Sequence, residues 1–140
     1  MNIDRPADEF LNACATGQIE SVRKLLPHLP DIEVRHARGW TGLIRACHGN
    51  HAEIAKLLVA NGANVNATNN NGTTVFMYAK TPVLETKDTG LLEWLLQNGA
   101  EINARDFHRK TVLDYVLEKA DTELADFLRA NGALTGEANV

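Results

Sequence analysis

The chain has 140 residues, 44% of them hydrophobic and 23% charged, with a formal net charge of -4; that supports one buried core and is too little for two ordinary domains. The acidic balance disfavours a nucleic-acid partner, because phosphate binding demands a basic patch. No apolar run reaches the roughly 18 residues of a membrane span, and the opening MNIDRPADEF puts acids where a signal peptide needs an apolar stretch, so a cytoplasmic protein is expected.

In chain order, FLNAC at 10–14 and ESVRKLL at 20–26 read as two short helices, followed by Leu29-Pro30, where the proline keeps Leu29 out of the right-handed helical region. A glycine turn, Gly39-Trp40-Thr41, then leads into LIRAC at 43–47, Asn50-His51, EIAKLLV at 53–59 and the loop NGANVNA at 61–67. The same order returns with Gly72-Thr73-Thr74, VFMYA at 75–79, LLEWLL at 91–96 and NGAEINA at 98–104. It returns again with Lys110-Thr111, VLDYVL at 112–117, LADFL at 124–128 and NGA at 131–133. Gly39 to Gly72 is 33 residues, Gly62 to Gly99 is 37 and Gly99 to Gly132 is 33. A period of that length predicts an all-α solenoid of helix-turn-helix units.

Helices this short are marginal alone, so stacking must stabilise them. Ala13, Ala46 and Ala79 recur where neighbouring first helices approach, with Val116 in the last copy. The pairs Leu57-Leu58 and Leu95-Leu96 form the apolar stripe of the second helix. Gly62 and Gly99 are expected to end that helix in the left-handed conformation. Cys14 and Cys47 share one repeat position and read as small buried hydrophobes rather than a disulfide. The third copy carries an excess of four residues in KTPVLETKDTG at 80–90. There Thr81-Pro82 is expected to stop the first helix, Asp88-Thr89 to begin the second, and the excess to lengthen the connection between them.

These residues resemble the ankyrin repeat, whose pattern runs through a glycine finger, TPLH, a small-residue helix, GH, a leucine-rich helix and GADVNA. The likeness covers about residues 39–133, with 7–38 as a degenerate first repeat and an N-terminal cap. The domain then spans 1–140, with repeats at about 7–38, 39–71, 72–108 and 109–133 and a mobile tail at 134–140. The signature histidine is replaced by Ile44, Met77 and Asp114, and the proline by Gly42, Val75 and Val112. These replacements remove hydrogen bonds, so local weakening is expected. Arg109 stands in the register of Gly39 and Gly72, which costs energy if the position needs a positive φ.

The resemblance implies a noncatalytic module, without cofactor, that binds a protein partner in a concave groove of fingers and first helices. Carried over by position, that groove would display Ala37, Arg38, Trp40 and His48, then Asn70, Asn71 and Thr73, then Phe107, His108 and Lys110. Arg45, Tyr78 and Tyr115 share the next helix position, facing the groove or packing between repeats. Trp40 and Phe107 are the expected anchors, because buried aromatic area dominates hot spots; the alternative for Trp40 is an indole folded onto a neighbouring finger. A monomer is expected. A different reading makes the chain the substrate of an asparagine hydroxylase at Asn66 or Asn103. The cluster Cys47, His48 and His51 approaches metal-ligand spacing, yet the register buries Cys47 and gives His51 a structural hydrogen bond in the turn. Ser21 is the only serine and lies in a helical stretch, and no phosphate-cradling glycine loop is present, so catalysis is not expected.

Overall fold

Residues 5–138 are described by a computed structural model, in which the repeated pattern becomes four stacked helix pairs. The inner helices are α1 (Arg5–Thr16), α3 (Gly42–His48), α5 (Val75–Thr86) and α7 (Val112–Glu118). The outer helices are α2 (Ile19–Leu25), α4 (Ala52–Ala60), α6 (Gly90–Gln97) and α8 (Thr122–Ala130), with a 3-10 turn after α2 at Leu26–His28. Inner helices pack in a row, α1 on α3, α3 on α5 and α5 on α7. Ala13, Ala46 and Ala79 are all buried in that row, where a larger side chain would hold the helices apart. The outer helices close the core with Leu58, Leu92, Leu95 and Leu128, and burial of each leucine contributes about 2 kcal/mol.

Three buried threonines start inner helices. The Oγ1 atoms of Thr41, Thr74 and Thr111 accept from the backbone N–H of Ile44, Met77 and Asp114. Each satisfies a helix donor where water does not reach, and such a cap is worth about 1 kcal/mol. Gly42 stands where a proline would serve in the repeat pattern because a Cβ there would come within 2.7 Å of the Phe10 ring.

Left-handed residues recur at three repeat positions, two of them in the last three repeats and one in all four. Gly62 and Gly99 follow the outer helices, as expected, and Gly132 does the same. Gly39, Gly72 and Arg109 turn the fingers, and Arg109 does adopt φ 63°. Gly17, Asn50, Lys87 and Ala120 turn each helix pair, a position the glycine spacing alone did not reveal. Leu29 is extended at φ -85°, ψ 132°, as Pro30 requires.

Two expectations change. The third-repeat excess is not a connecting loop: α5 continues through Pro82 to Thr86, against seven residues in α3 and α7. Pro82 removes one intrahelical N–H bond but keeps a helical φ, and buried Val83 anchors the added turn in the core. The turn ends where left-handed Lys87 donates its N–H to Val83 O at 2.9 Å, while its ammonium lies 2.6 Å from Asp121 Oδ2. Asp88 Oδ1 accepts from Gly90 N at the start of α6, whereas Thr89 gives no side-chain cap.

The segment after Ala133 is tied down at its start rather than loose from Leu134 onward. Leu134 N–H donates to Asn103 Oδ1 at 2.7 Å, Thr111 Oγ1 donates to Leu134 O at 2.7 Å, and Gly136 N–H donates to Asp114 Oδ2 at 2.8 Å. Asp114 therefore offsets the absent signature histidine with a capping box and a clasp on the tail. Asn139 and Val140, within the expected mobile tail, lie outside the described residues.

Candidate protein-binding face

Each finger turns because a side chain near its start takes up the backbone donors of its tip. Asn69, 7% exposed, accepts at Oδ1 from Asn71 N and Thr73 N, both at 2.9 Å. Asp106, 6% exposed, does the same for His108 N at 2.9 Å and Lys110 N at 3.1 Å. In the first finger His36 Nδ1 accepts from Arg38 N at 2.9 Å. Sequence reading missed this trio; the signal was a polar acceptor three residues before each left-handed finger residue. The fingers also bond to one another, Asn70 N–H to Arg38 O at 3.2 Å and Phe107 N–H to Asn71 O at 3.0 Å.

Between the first and second fingers lies a hollow of about 430 Å³ lined by Ala37, Arg38, Trp40, Asn69, Asn70, Asn71 and Tyr78. Its aromatic wall is a cluster. Trp40 stacks on His36 at 5.5 Å and meets His48 edge-on at 5.9 Å and Tyr78 at 5.2 Å; His48 and Tyr78 are 5.4 Å apart. The Arg45 guanidinium lies 5.6 Å from the Trp40 ring centre, and its Nε is buried without an acceptor. Tyr78 is held by Asn69 Nδ2, which donates to its hydroxyl at 2.8 Å. Burial pushes the Tyr78 phenol above its ordinary range, with Asn69 offsetting part of the rise.

The expected binding residues thus divide. Arg38, Trp40, Asn70, Asn71 and Tyr78 share one hollow, with Arg45 and His48 against its tryptophan. Trp40 is half-buried, against His48 and Tyr78 of the inner helices and against His36 of its own finger. Phe107 stands apart. It is 76% exposed, with its ring edge over Gly72, where a Cβ would come within 2.8 Å of it. His108 and Lys110 line a second hollow of about 830 Å³ together with Arg105, Arg109, Asp114 and Glu137.

Tyr115 does not reach the first hollow. It donates its hydroxyl to Asp106 Oδ2, and Lys80 and Lys110 lie over its ring at 5.5 and 5.2 Å. Burial first, then the bond to Asp106, raises its phenol far above the ordinary range. Lys110 also bonds Glu118 at 2.5 Å, and that bond raises its own pKa.

Other candidates fall to structural roles. His51 Nε2 lies 3.1 Å from Ala15 O, and its ring covers Gly17 and Gly49. Burial pushes both Cys14 and Cys47 up to about 12, so neither is a ready thiolate. Among the described residues no group of three His, Cys, Asp or Glu side chains is placed to hold a metal. Asn66 and Asn103 staple successive loops: Asn66 bonds Gly99 O and Glu101 N, and Asn103 bonds Gly132 O and Leu134 N. Both ends of each amide are in use. Among the described residues no helix is long and apolar enough to cross a membrane.

Stacked helix pairs with hydrogen-bonded fingers define a helical-repeat solenoid with a side-chain-lined hollow between its first two fingers. Residues 10–106 match the family model for ankyrin repeats (3 copies), and the chain belongs to the ankyrin repeat family. It is 33% identical over 133 residues to the ankyrin repeat protein YahD of Escherichia coli (strain K12), a match covering 89% of this chain and 63% of that protein. Protein phosphatase 1 regulatory subunit 27 of Homo sapiens is 38% identical over 60 residues, 43% of this chain and 39% of that protein. The RelA-associated inhibitor of Mus musculus is 29% identical over 137 residues, 89% of this chain and 16% of that protein. The chain therefore spans less than two thirds of each of these relatives. Ankyrin repeats generally mediate protein–protein interaction.

Proposed function

We propose that this chain is a noncatalytic protein-binding module whose partner docks in the groove between the first two fingers and α3 and α5. The observation that carries this reading is the half-buried Trp40, in contact with His36, Arg45, His48 and Tyr78 beside an open hollow. An aromatic cluster packed from below loses little conformational entropy on binding, and tryptophan, tyrosine and arginine dominate hot spots. Arg38 and Asn71 project beside it and supply polar contacts that fix register. Phe107 on the neighbouring finger adds exposed apolar area to the same edge.

The test is affinity capture from native lysate with wild type and a Trp40→Ala, Phe107→Ala double variant, both first checked for a native circular dichroism spectrum and urea transition. A partner held by wild type and lost by the folded double variant supports the groove. A partner held equally by both moves the contact elsewhere on the molecule.

A further inference from the structure

The net charge of -4 conceals a segregation that only the fold brings out. The fingers, residues 35–41, 68–74 and 105–111, hold five of the 14 bases and one of the 18 acids, giving +4. The remaining nine bases and 17 acids give -8. The one finger acid, Asp106, is buried and occupied by Tyr115 and two backbone donors, so it offsets the finger charge without offering a free carboxylate. Of the two acids on the adjoining α7 that face the fingers, Asp114 is bonded to Thr111 and Gly136, and Glu118 to Lys110. Arg38, Arg105 and Arg109, by contrast, have no ion-pair partner among the described residues.

Resting on the groove reading above, we infer that the finger edge receives an acidic segment of a partner protein, with one carboxylate side chain entering the hollow beside Arg38 and the Trp40–Tyr78 wall. Charge complementarity selects the sign: a +4 edge on a -8 body attracts a negative segment and turns it toward the fingers. The spacing of the charges favours a peptide over a nucleic acid. The bases fall in two clusters separated by a middle finger, TNNNGTT, that has no charge, so a continuous row of phosphates would lack partners at its centre. The exposed Asn71 amide at that centre suits a peptide backbone instead. At the far cluster the chain's own Glu137 already lines the hollow beside Arg105 and Arg109.

Nitrogen-15 NMR of the full chain tests this, because its two tryptophans, Trp40 and Trp94, give separate indole signals and Trp94 lies on the outer helix α6. The probes are a synthetic peptide of repeating Glu-Glu-Leu units, its Gln-Gln-Leu counterpart, and a single-stranded oligodeoxynucleotide of equal length. The Glu peptide is expected to shift Trp40 and leave Trp94 in place, and the Gln peptide to bind at least about tenfold more weakly. Arg38→Glu should weaken the Glu peptide by a similar factor with the Trp94 signal unmoved, which shows that the variant is folded. Equal binding of the Glu and Gln peptides overturns the acidic assignment and leaves the groove reading to the capture experiment. Tighter binding of the oligonucleotide overturns it in favour of a nucleic acid. A shift of Trp94 alone, or no shift of either indole, also overturns it.

Discussion

Tyr78 and Tyr115 occupy the same repeat position, 37 residues apart, each bonded to the side chain that anchors its own finger. Their surroundings differ in every other respect. Tyr78 meets neutral Asn69, and the residue preceding the helix-capping threonine of the neighbouring repeat is Trp40, so an open aromatic-walled hollow results. Tyr115 meets the Asp106 carboxyl group with two lysine side chains over its ring, and the residue preceding its own capping threonine is Lys110, which is paired with Glu118. One repeat geometry thus yields two settings: an open hollow beside Tyr78, and a locked site where Tyr115, Asp106, Lys110 and Glu118 bond one another in pairs. A polar network whose members are all satisfied is the more rigid of the two.

The largest effect expected from breaking this comparison is at the anchors. Asp106→Ala strands two finger donors and the Tyr115 hydroxyl and should lower unfolding stability by about 3 kcal/mol; Asn69→Ala, which removes bonds to a neutral amide, should cost about 2 kcal/mol. Urea titration followed by circular dichroism measures both, and a reversed order would contradict the locked-site description.

Next come the tyrosines themselves. Tyr115→Phe removes a bond to a charged acceptor and should cost about 2 kcal/mol without touching partner capture. Tyr78→Phe loses a neutral bond, about 1 kcal/mol, and should weaken capture through the hollow it lines. Equal effects of the two on capture would erase the functional distinction between the regions.

The smallest effect is in pH dependence. Both folded phenols titrate above the free value of 10, so the stability they confer is fully present below pH 10 and is lost as pH rises beyond it. Burial is the leading cause for both; the Asp106 bond adds to the rise at Tyr115, whereas the Asn69 bond reduces it at Tyr78. Tyrosinate absorbance at pH 10 should therefore stay below that of the urea-unfolded chain. With Tyr115→Phe, the remaining tyrosine should titrate at lower pH than the one remaining in Tyr78→Phe.

The repeat itself was legible in the sequence because its punctuation is backbone chemistry: Gly62, Gly99 and Gly132 mark positions where a side chain is strained. Thr41, Thr74 and Thr111 recur with them at the helix starts. The excess in the third repeat was misread because Pro82 is a local stop signal, and it was overridden by tertiary burial of Val83 one residue later. The start of the tail is held by Asn103, Thr111 and Asp114, more than 20 residues away, and no local pattern records such contacts. Arg38, Trp40, Asn70 and Asn71, named from register, line one hollow. That Trp40 joins Tyr78 while Phe107 stays separate depends on rotamers and neighbouring fingers, which register does not specify.

The central claim, that a partner engages the groove built around Trp40, is tested most directly by hydrogen–deuterium exchange on the wild-type chain with and without its captured partner. Protection is predicted at 36–48 and 69–78, with the outer helices α4, α6 and α8 unchanged. Protection confined to those outer helices, or to 105–138 alone, would contradict it.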